Sequence, residues 1–340
     1  MTLTTPGTVL VMGAGAVGCW IGGCLAAAGA PVTFIGRQRS VDTLRAHGLA
    51  LTDLDGGRRT VPAGALTWAT SPLEDAARSP SLALLCVKSG ATADAAADLA
   101  RALPAHTVVV SMQNGISNAA LARSHAPQLT VLPGMVQFNV VELGPGRYHR
   151  ATSGRLAAQD HPLLRAWQPA FAAAGLPLEL HADLAPLQWG KLLLNLNNPV
   201  NALSGLPLRA QLLERDHRIC MAALIDEALT ALHAAGIQPA KLTPLPPPAL
   251  PAALRLPTAI FRLLAFRMLR MDAKARTSMA LDLMQRRPTE IDALCGEVVR
   301  LARDHGTTAP VNERISELVR AWPSRPQPMS GRELRAALGV

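Results

Sequence analysis

The sequence predicts an α/β chain, in which a parallel sheet covered by helices is followed by an all-α domain. Three observations carry this expectation. Short β-rich runs alternate with helical patterns through the first half of the chain, the signature of a parallel sheet with helices on both faces. A glycine-rich turn at residues 13–18 joins the first of those runs to the first helical pattern. From Asp183 onward, long helical patterns dominate. At about 100–200 residues per domain, a chain of 340 residues suits two domains, placed here at 1–182 and 183–340.

Each element has its own reason. Residues 8–12 are β-rich and end at glycines, as a buried strand does. Residues 16–28 read as a helix stopped by Gly29, and residues 31–35 as a second strand closed by Gly36. A helical stretch follows at 41–47. Residues 49–52 and 59–61 flank Asp55-Gly56-Gly57, a hairpin pattern. Residues 82–87 are apolar and of strand length, 91–103 are alanine-rich and helical, and 107–112 form another buried strand. Strand-like pieces between 136 and 156, broken by Gly144-Pro145-Gly146, extend the first domain with antiparallel strands. In the second domain, residues 244–257 hold six prolines. Proline is excluded from a regular helix interior, so this stretch reads as a surface loop, either a spacer or a lid. Residues 323–328 mark the start of a tail.

Composition narrows the function classes. Hydrophobic residues make up 49% but aromatics only 3%, so the cores are built mostly of Ala, Leu and Val. The net charge is +9. The basic residues form no run or stripe and are not interleaved with aromatics, which argues against nucleic acid. A field of this sign does attract small phosphates and carboxylates. Cys19, Cys24, Cys86, Cys220 and Cys295 lack a CxxC pair or a histidine cluster. They read as small buried hydrophobes in a reducing compartment, with no metal site and no disulfide framework. Residues 8–36 carry no charge. No basic segment precedes them, and six glycines between Gly13 and Gly29 suit a strand–turn–helix better than a signal or a spanning helix. The expectation is a soluble, cytoplasmic protein with no membrane partner.

Gly13-Ala14-Gly15-Ala16-Val17-Gly18 fits G-x-G-x-x-G, and its place after a strand and at the start of a helix gives the pattern meaning. Gly13 permits the tight turn, Gly15 lets backbone approach a pyrophosphate, and Gly18 lets helix and strand pack closely. The first domain is therefore read as a Rossmann-type dinucleotide-binding domain. At the end of the second strand, where NAD-binding domains place an acid, the chain has Gly36-Arg37-Gln38-Arg39. A guanidinium binds a 2′-phosphate bidentately, so the cofactor is read as NADPH, with Arg37 as the main contact and Arg39 as its helper. A solvated surface charge is the competing reading of Arg37.

With Val87-Lys88-Ser89, Gln113-Asn114-Gly115, Gly190-Lys191-Leu192 followed by Asn195 and Asn198-Pro199, and Ser278-Met279 with Pro288-Thr289-Glu290-Ile291-Asp292, the chain resembles the ketopantoate reductase family, the 2-dehydropantoate 2-reductases. The resemblance covers nearly the whole length. It implies NADPH-dependent reduction of ketopantoate to pantoate, a step toward pantothenate and coenzyme A. It also implies that Lys191 and Glu290 are catalytic. Asn114 would contact cofactor and substrate, Lys88 the cofactor, Ser278 the substrate carboxylate, and Asn195 and Asn198 the substrate. A homodimer stays open.

The residue chemistry agrees with that analogy. Only four lysines stand among 33 basic residues, and Lys191 lies in a leucine-rich stretch. Lys191, Asn195 and Asn198 fall at i, i+4 and i+7, sharing one helix face. An ammonium can stabilise a forming alkoxide and then protonate it, the more readily when desolvation lowers its pKa. A snorkelling surface lysine is the alternative. Glu290 is read in the first turn of a helix opening near Pro288, either facing Lys191 and a substrate hydroxyl or answering the helix dipole. Ser278 is either a carboxylate ligand or an ordinary helix N-cap.

Three departures from the family pattern fall where substrate is recognised. Ala275 stands where the family often has asparagine, the asparagine stretch is one residue shorter with an additional Asn197, and the proline-rich segment is longer. The alternatives are a reductase of another small 2-oxo or 3-oxo acid, or a non-catalytic NADPH-binding regulator, which would have no use for a proton donor. A 6-phosphogluconate or opine dehydrogenase would need a phosphate- or amine-recognising cluster that is not found.

Overall fold

The computed structural model describes residues 6–74, 79–266, 269, 275–324 and 326–340. The chain divides into two compact units, one ending at Leu184 and the next starting at Ala185.

In the first unit, alternate residues of β1 (Val9–Met12) enter different cores, as strands buried on both faces must. Val9 and Val11 join Trp20, Phe34 and Phe171, while Leu10 and Met12 join Ala95, Leu99 and Ala122. The elements that follow are α1 (Ala16–Ala27), β2 (Val32–Ile35), α2 (Gln38–His47), β3 (Leu49–Asp53), β4 (Arg58–Val61), β5 (Thr67–Ala69), β6 (Leu82–Leu85), α3 (Thr92–Ala102), β7 (Val108–Ser111), α4 (Asn118–His125), β8 (Thr130–Val136), β9 (Val140–Gly144), β10 (Arg147–Arg150), β11 (Leu156–Gln159), α5 (Pro162–Ala173) and β12 (Leu178–His181). The main sheet has the order β12-β11-β8-β7-β6-β1-β2-β5. From β5 to β8 every pairing is parallel; β11 runs antiparallel to β8 and parallel to β12.

The expected antiparallel strands of residues 136–156 are present in the first unit, and two of them join a second sheet, β4-β3-β10-β9. The glycine-proline-glycine turn makes the antiparallel β9–β10 hairpin, but β10 then pairs in parallel with β3. Only β11 adds an antiparallel strand to the main sheet. Helix α1 lies between the two sheets, which explains why it is apolar all round. A Cβ on Gly22 would stand 2.6 Å from the Phe34 ring, and one on Gly23 2.9 Å from Leu51.

The second unit is helical among the described residues: α6 (Ala185–Asn195), α7 (Asn197–Ser204), α8 (Leu208–Leu213), α9 (Arg215–Ala234), α10 (Leu250–Arg255), α11 (Thr258–Leu264), α12 (Ser278–Met284), α13 (Cys295–Asp304), α14 (Pro310–Ala321) and α15 (Gly331–Leu338). The 20-residue α9 is its axis, with Cys220, Leu224, Ile225, Ala228 and Ala231 fully buried. Helices α7, α8, α10, α13, α14 and α15 pack on it. Helix α14 is capped from α9, because the Glu227 carboxylate accepts the backbone N–H groups of Val311 and Asn312 at 2.8 and 2.9 Å.

Two expectations here are corrected. The proline-rich stretch is not simply a surface loop. Pro251 sits in the first turn of α10, where its missing N–H leaves no intrahelical bond unmade, and Pro247, Pro251 and Leu254 are buried. The stretch after 323–328 is not a loose tail. It folds into α15, opened by a Ser330–Glu333 capping box and anchored on α9 by the fully buried Leu334.

Among the described residues, no helix is long and apolar enough to cross a membrane, and no three His, Cys, Asp or Glu side chains gather to hold a metal ion. Burial pushes the thiols of Cys19, Cys24, Cys86 and Cys220 up to about 12, which makes them poor nucleophiles.

Candidate active site

In the first unit, register brings the candidate cofactor residues to one edge. Met12 pairs with Leu85, and Leu85 with Ser111, so β1, β6 and β7 end side by side. The loops that leave them carry the glycine turn, Lys88 and Asn114. This is the carboxyl edge, where open parallel sheets bind ligands. Gly13 has φ +120°, and its N–H donates to Ile35 O at 3.0 Å. A Cβ there would lie 2.7 Å from the backbone of Cys86 and Val87. A Cβ on Gly18 would strike Gly13 O at 2.1 Å. Gly15 differs: a Cβ there would meet nothing within 4 Å. It is the N-cap of α1, with no side-chain cap and no acid in the first turn. A helix start with its amide donors unclaimed by a cap and open space before it suits a pyrophosphate. Ala14, Ala16 and Val17 complete the turn and are half-buried.

Arg37 follows β2, is the N-cap residue of α2 and is exposed, as is Arg39. Lys88 is exposed after β6, and Asn114 half-buried after β7. Beneath the last two lies a polar cluster that the sequence reading did not assign: Gln113, Thr92 and Asn118, all buried. Gln113 lies within the Gln-Asn-Gly motif, but nothing in the spacing says that its amide reaches back to residues 87 and 92.

In the second unit, α6 presents Lys191. Its neighbour Gly190 fits because a Cβ there would stand 2.4 Å from Ala240 O. Lys191 is half-buried, beside the buried Trp189, Leu192 and Leu193. Burial lowers its pKa to about 8, against the opposing pull of the Glu290 carboxylate. Lys191 and Glu290 are thus brought within electrostatic reach.

The shared face of Lys191, Asn195 and Asn198 is interrupted. The helix breaks at Leu196, because Pro199 offers no N–H to Asn195 O and its ring crowds that carbonyl. All three side chains nevertheless remain half-buried, while Asn197 and Asn201 turn inward. Asn197 donates to Gln211 Oε1 at 3.1 Å. Asn201 Oδ1 accepts from Thr277 N at 3.1 Å and from Thr277 Oγ1 at 3.2 Å. The additional asparagine therefore serves packing.

Glu290 is not in a first helical turn. Residues 287–290 have no regular structure, 291–294 form turns, and α13 starts at Cys295. Ile291, Ala293, Leu294 and Cys295 are all buried, and a straight helix cannot turn four such closely spaced positions inward. Ser278 is not an N-cap either. Thr277 is, accepting from Ala280 N at 3.3 Å, which leaves Ser278 as the exposed first residue of α12. Thr277 also donates to Asn198 O at 3.4 Å, so Ser278 is held next to the segment carrying Asn198. Ala275 is half-buried at the same approach, its carbonyl accepting from Leu208 N.

The ketopantoate reductase PanE/ApbA model matches residues 9–162, and its C-terminal counterpart matches 183–322. A 2-dehydropantoate 2-reductase of Halobacterium salinarum is 28% identical over 319 residues, covering 92% of this chain and 97% of that protein. A PanE/ApbA family ketopantoate reductase from Ralstonia eutropha is 29% identical with a TM-score of 0.79, covering 94% and 99%. A D-mandelate dehydrogenase with NADH and anilino(oxo)acetate shares the fold at 20% identity and a TM-score of 0.76, covering 98% and 100%. With both of its domains matched and the glycine turn, Lys191 and Glu290 in their expected order, the chain belongs to the ketopantoate reductase family of NAD(P)H-dependent oxidoreductases acting on CH–OH groups.

Proposed function

We propose that the protein reduces 2-dehydropantoate to pantoate with NADPH, on the path to pantothenate and coenzyme A. The observation that carries this reading is Lys191, an ammonium held near pKa 8 by burial, with Glu290 as its counter-charge. The reduced nicotinamide supplies the hydride for the carbonyl carbon. The first unit would hold it, with the Gly13–Gly18 backbone on the pyrophosphate, Arg37 on the 2′-phosphate, and Lys88 and Asn114 at the strand ends. The second unit's residues handle the oxo acid. Lys191 Nζ donates to the carbonyl oxygen, stabilises the negative charge that grows there, and passes its proton to it. A donor near pKa 8 surrenders a proton far more readily than one at the ordinary 10.5. Glu290 accepts from a substrate hydroxyl, while Ser278, Asn195 and Asn198 receive the carboxylate and the remaining polar groups.

A second reading rests on Ala275. A methyl group stands beside the Ser278 approach where relatives of this family often offer an amide, and this favours an oxo acid with fewer polar groups. A panel of 2-oxo and 3-oxo acids, followed by NADPH oxidation, separates the two. Highest kcat/KM with 2-dehydropantoate supports the first reading, and turnover confined to another acid supports the second. Absence of turnover with all of them, despite NADPH binding, would leave only a regulator. For the cofactor, Arg37→Ala is expected to abolish the preference for NADPH over NADH; an unchanged preference would remove Arg37 from the phosphate site.

A further inference from the structure

Seven hydrogen bonds under the carboxyl edge of the first sheet run in one direction. Ser111 Oγ donates to Gln113 Oε1 at 2.9 Å. Gln113 Nε2 donates to Val87 O at 2.9 Å and to Thr92 Oγ1 at 2.7 Å. Thr92 Oγ1 donates to Asn118 Oδ1 at 2.9 Å. Asn118 Nδ2 donates to Ser89 Oγ at 3.1 Å and to Asn114 O. Ser89 Oγ donates to Asn114 O at 3.4 Å. Thr92 is fully buried, and Ser111, Gln113 and Asn118 are nearly so.

Each polar atom has a fixed sense. Because the Thr92 hydroxyl accepts from Gln113, its proton points at Asn118, and this fixes which end of the Asn118 amide meets Asn114 O. In a buried setting, reversing any link leaves a donor or an acceptor unmatched. The relay joins residues 87–92, which include Lys88, to residues 113–118, which include Asn114. Neither loop has a long element of its own to fix it. Residues 89–91 are a single turn, and α4 begins only at Asn118. The same stretch abuts the glycine turn, since Gly13 has room only for hydrogen against Cys86 and Val87.

We propose that Gln113, Thr92 and Asn118 are positioning residues for the nicotinamide cofactor. They set Lys88 and Asn114 in the arrangement that binds NADPH, without touching it themselves. The inference rests on the reading that Lys88 and Asn114 contact the cofactor. An apolar residue at Gln113 or Thr92 would let the two loops settle independently and weaken binding, and a replacement hydroxyl at Thr92 would not.

The test uses the full chain and compares wild type, Gln113→Leu, Thr92→Val and Thr92→Ser by NADPH Kd, kcat at saturating cofactor, and Tm. Gln113→Leu and Thr92→Val are expected to raise the NADPH Kd about tenfold, with kcat at saturation within about twofold; displaced supporting groups have effects of that order at other ligand sites. Thr92→Ser is expected to restore wild-type affinity. Gln113→Leu and Lys88→Ala combined should weaken binding by less than the product of their separate effects, because the relay acts through Lys88. A fall in Tm with wild-type Kd in both apolar variants, or strict additivity with Lys88→Ala, overturns the proposal. If Gln113→Leu does not fold, the Thr92 pair decides by itself, equal affinities in Thr92→Val and Thr92→Ser being the overturning result. Wild type that fails to bind NADPH overturns the functional reading instead, a result distinct from all of these.

Discussion

In the helical unit burial lowers the pKa of Lys191 and of Arg218, and their surroundings differ. Arg218 is fully buried. Its guanidinium donates to the carbonyls of Leu212, Leu254 and Leu256 at 2.8–3.0 Å and lies 4.3 Å from the centroid of the Phe261 ring. Those carbonyls belong to the closing turns of α8 and α10, whose last acceptors lack intrahelical donors and sit at the negative ends of the helix dipoles. Burial lowers the pKa of both cations, and Arg215 adds to the effect at Arg218. A guanidinium stays charged regardless. An ammonium near pKa 8 does not, so the same desolvation leaves a fixed clamp in one place and a cation able to release its proton in the other. Lack of exposure therefore does not identify a functional cation. What matters is whether its proton can leave.

Exchanging each cation for methionine breaks that comparison most sharply. Lys191→Met is expected to lower kcat/KM about a thousandfold, the scale of lost general-acid catalysis, while NADPH still binds. Stability should move the other way. The folded state holds the ammonium less readily than the unfolded chain does, since desolvation outweighs the attraction of Glu290. Removing the charge should therefore stabilise the protein near pH 7, by up to about 3 kcal/mol at about 1.4 kcal/mol per pKa unit. In wild type, stability should rise between pH 8 and 10.5, because there the unfolded chain binds a proton that the folded one has released. Denaturant melts across that window should show the rise in wild type and not in Lys191→Met. Retained turnover in the variant would remove Lys191 from the chemistry.

Arg218→Met is the next largest effect and should have the opposite character. It strips three buried carbonyls of their donor, which costs about 3 kcal/mol at about 1 kcal/mol or more for each unsatisfied group. The proline-rich stretch loses one of its tethers to α9, yet kcat/KM of the folded fraction should stay within about twofold, because nothing at Lys191 changes. Denaturant unfolding and steady-state kinetics on the same preparation decide it. A large kinetic loss without destabilisation would mean that Arg218 belongs to the site.

The same contrast separates what the sequence revealed from what it hid. The glycine turn at the sheet's carboxyl edge was legible because backbone builds it. Three glycines, a strand before them and a helix after them lie within a few residues of one another, and Gly13 and Gly18 are required by contacts of 2.7 and 2.1 Å. Lys191 stood out as a rare lysine among leucines. The surroundings of Lys191 were less legible because distant segments assemble them. Nothing local to Ser278 says that Thr277 takes the cap by way of Asn201, or that Pro199 breaks the helix at Leu196. Glu290 was placed in a helix on the strength of Pro288, but burying residues 291, 293, 294 and 295 together overrode that signal. Arg218 was invisible for the same reason: its partners lie across two other helices, and an arginine on a long helix gives no sign of being buried.

The finest test acts on the pair itself. With Lys191 as the proposed proton donor, kcat/KM of the wild type should fall above pH 8 by a factor approaching ten per pH unit. Glu290 raises the pKa of Lys191 by favouring its charged form. Glu290→Gln keeps an acceptor oxygen for a substrate hydroxyl but removes the negative charge. Desolvation then acts unopposed, and the alkaline limb should move to lower pH, by about one unit for a partly screened pair. The sign is diagnostic. An unmoved limb would mean that Glu290 does not set the charge of Lys191; if Glu290 were the proton donor, the limb would disappear. A shift toward acid with little change in substrate KM identifies Glu290 as the group that keeps Lys191 charged at neutral pH, and it marks the difference from Arg218, whose guanidinium stays charged regardless.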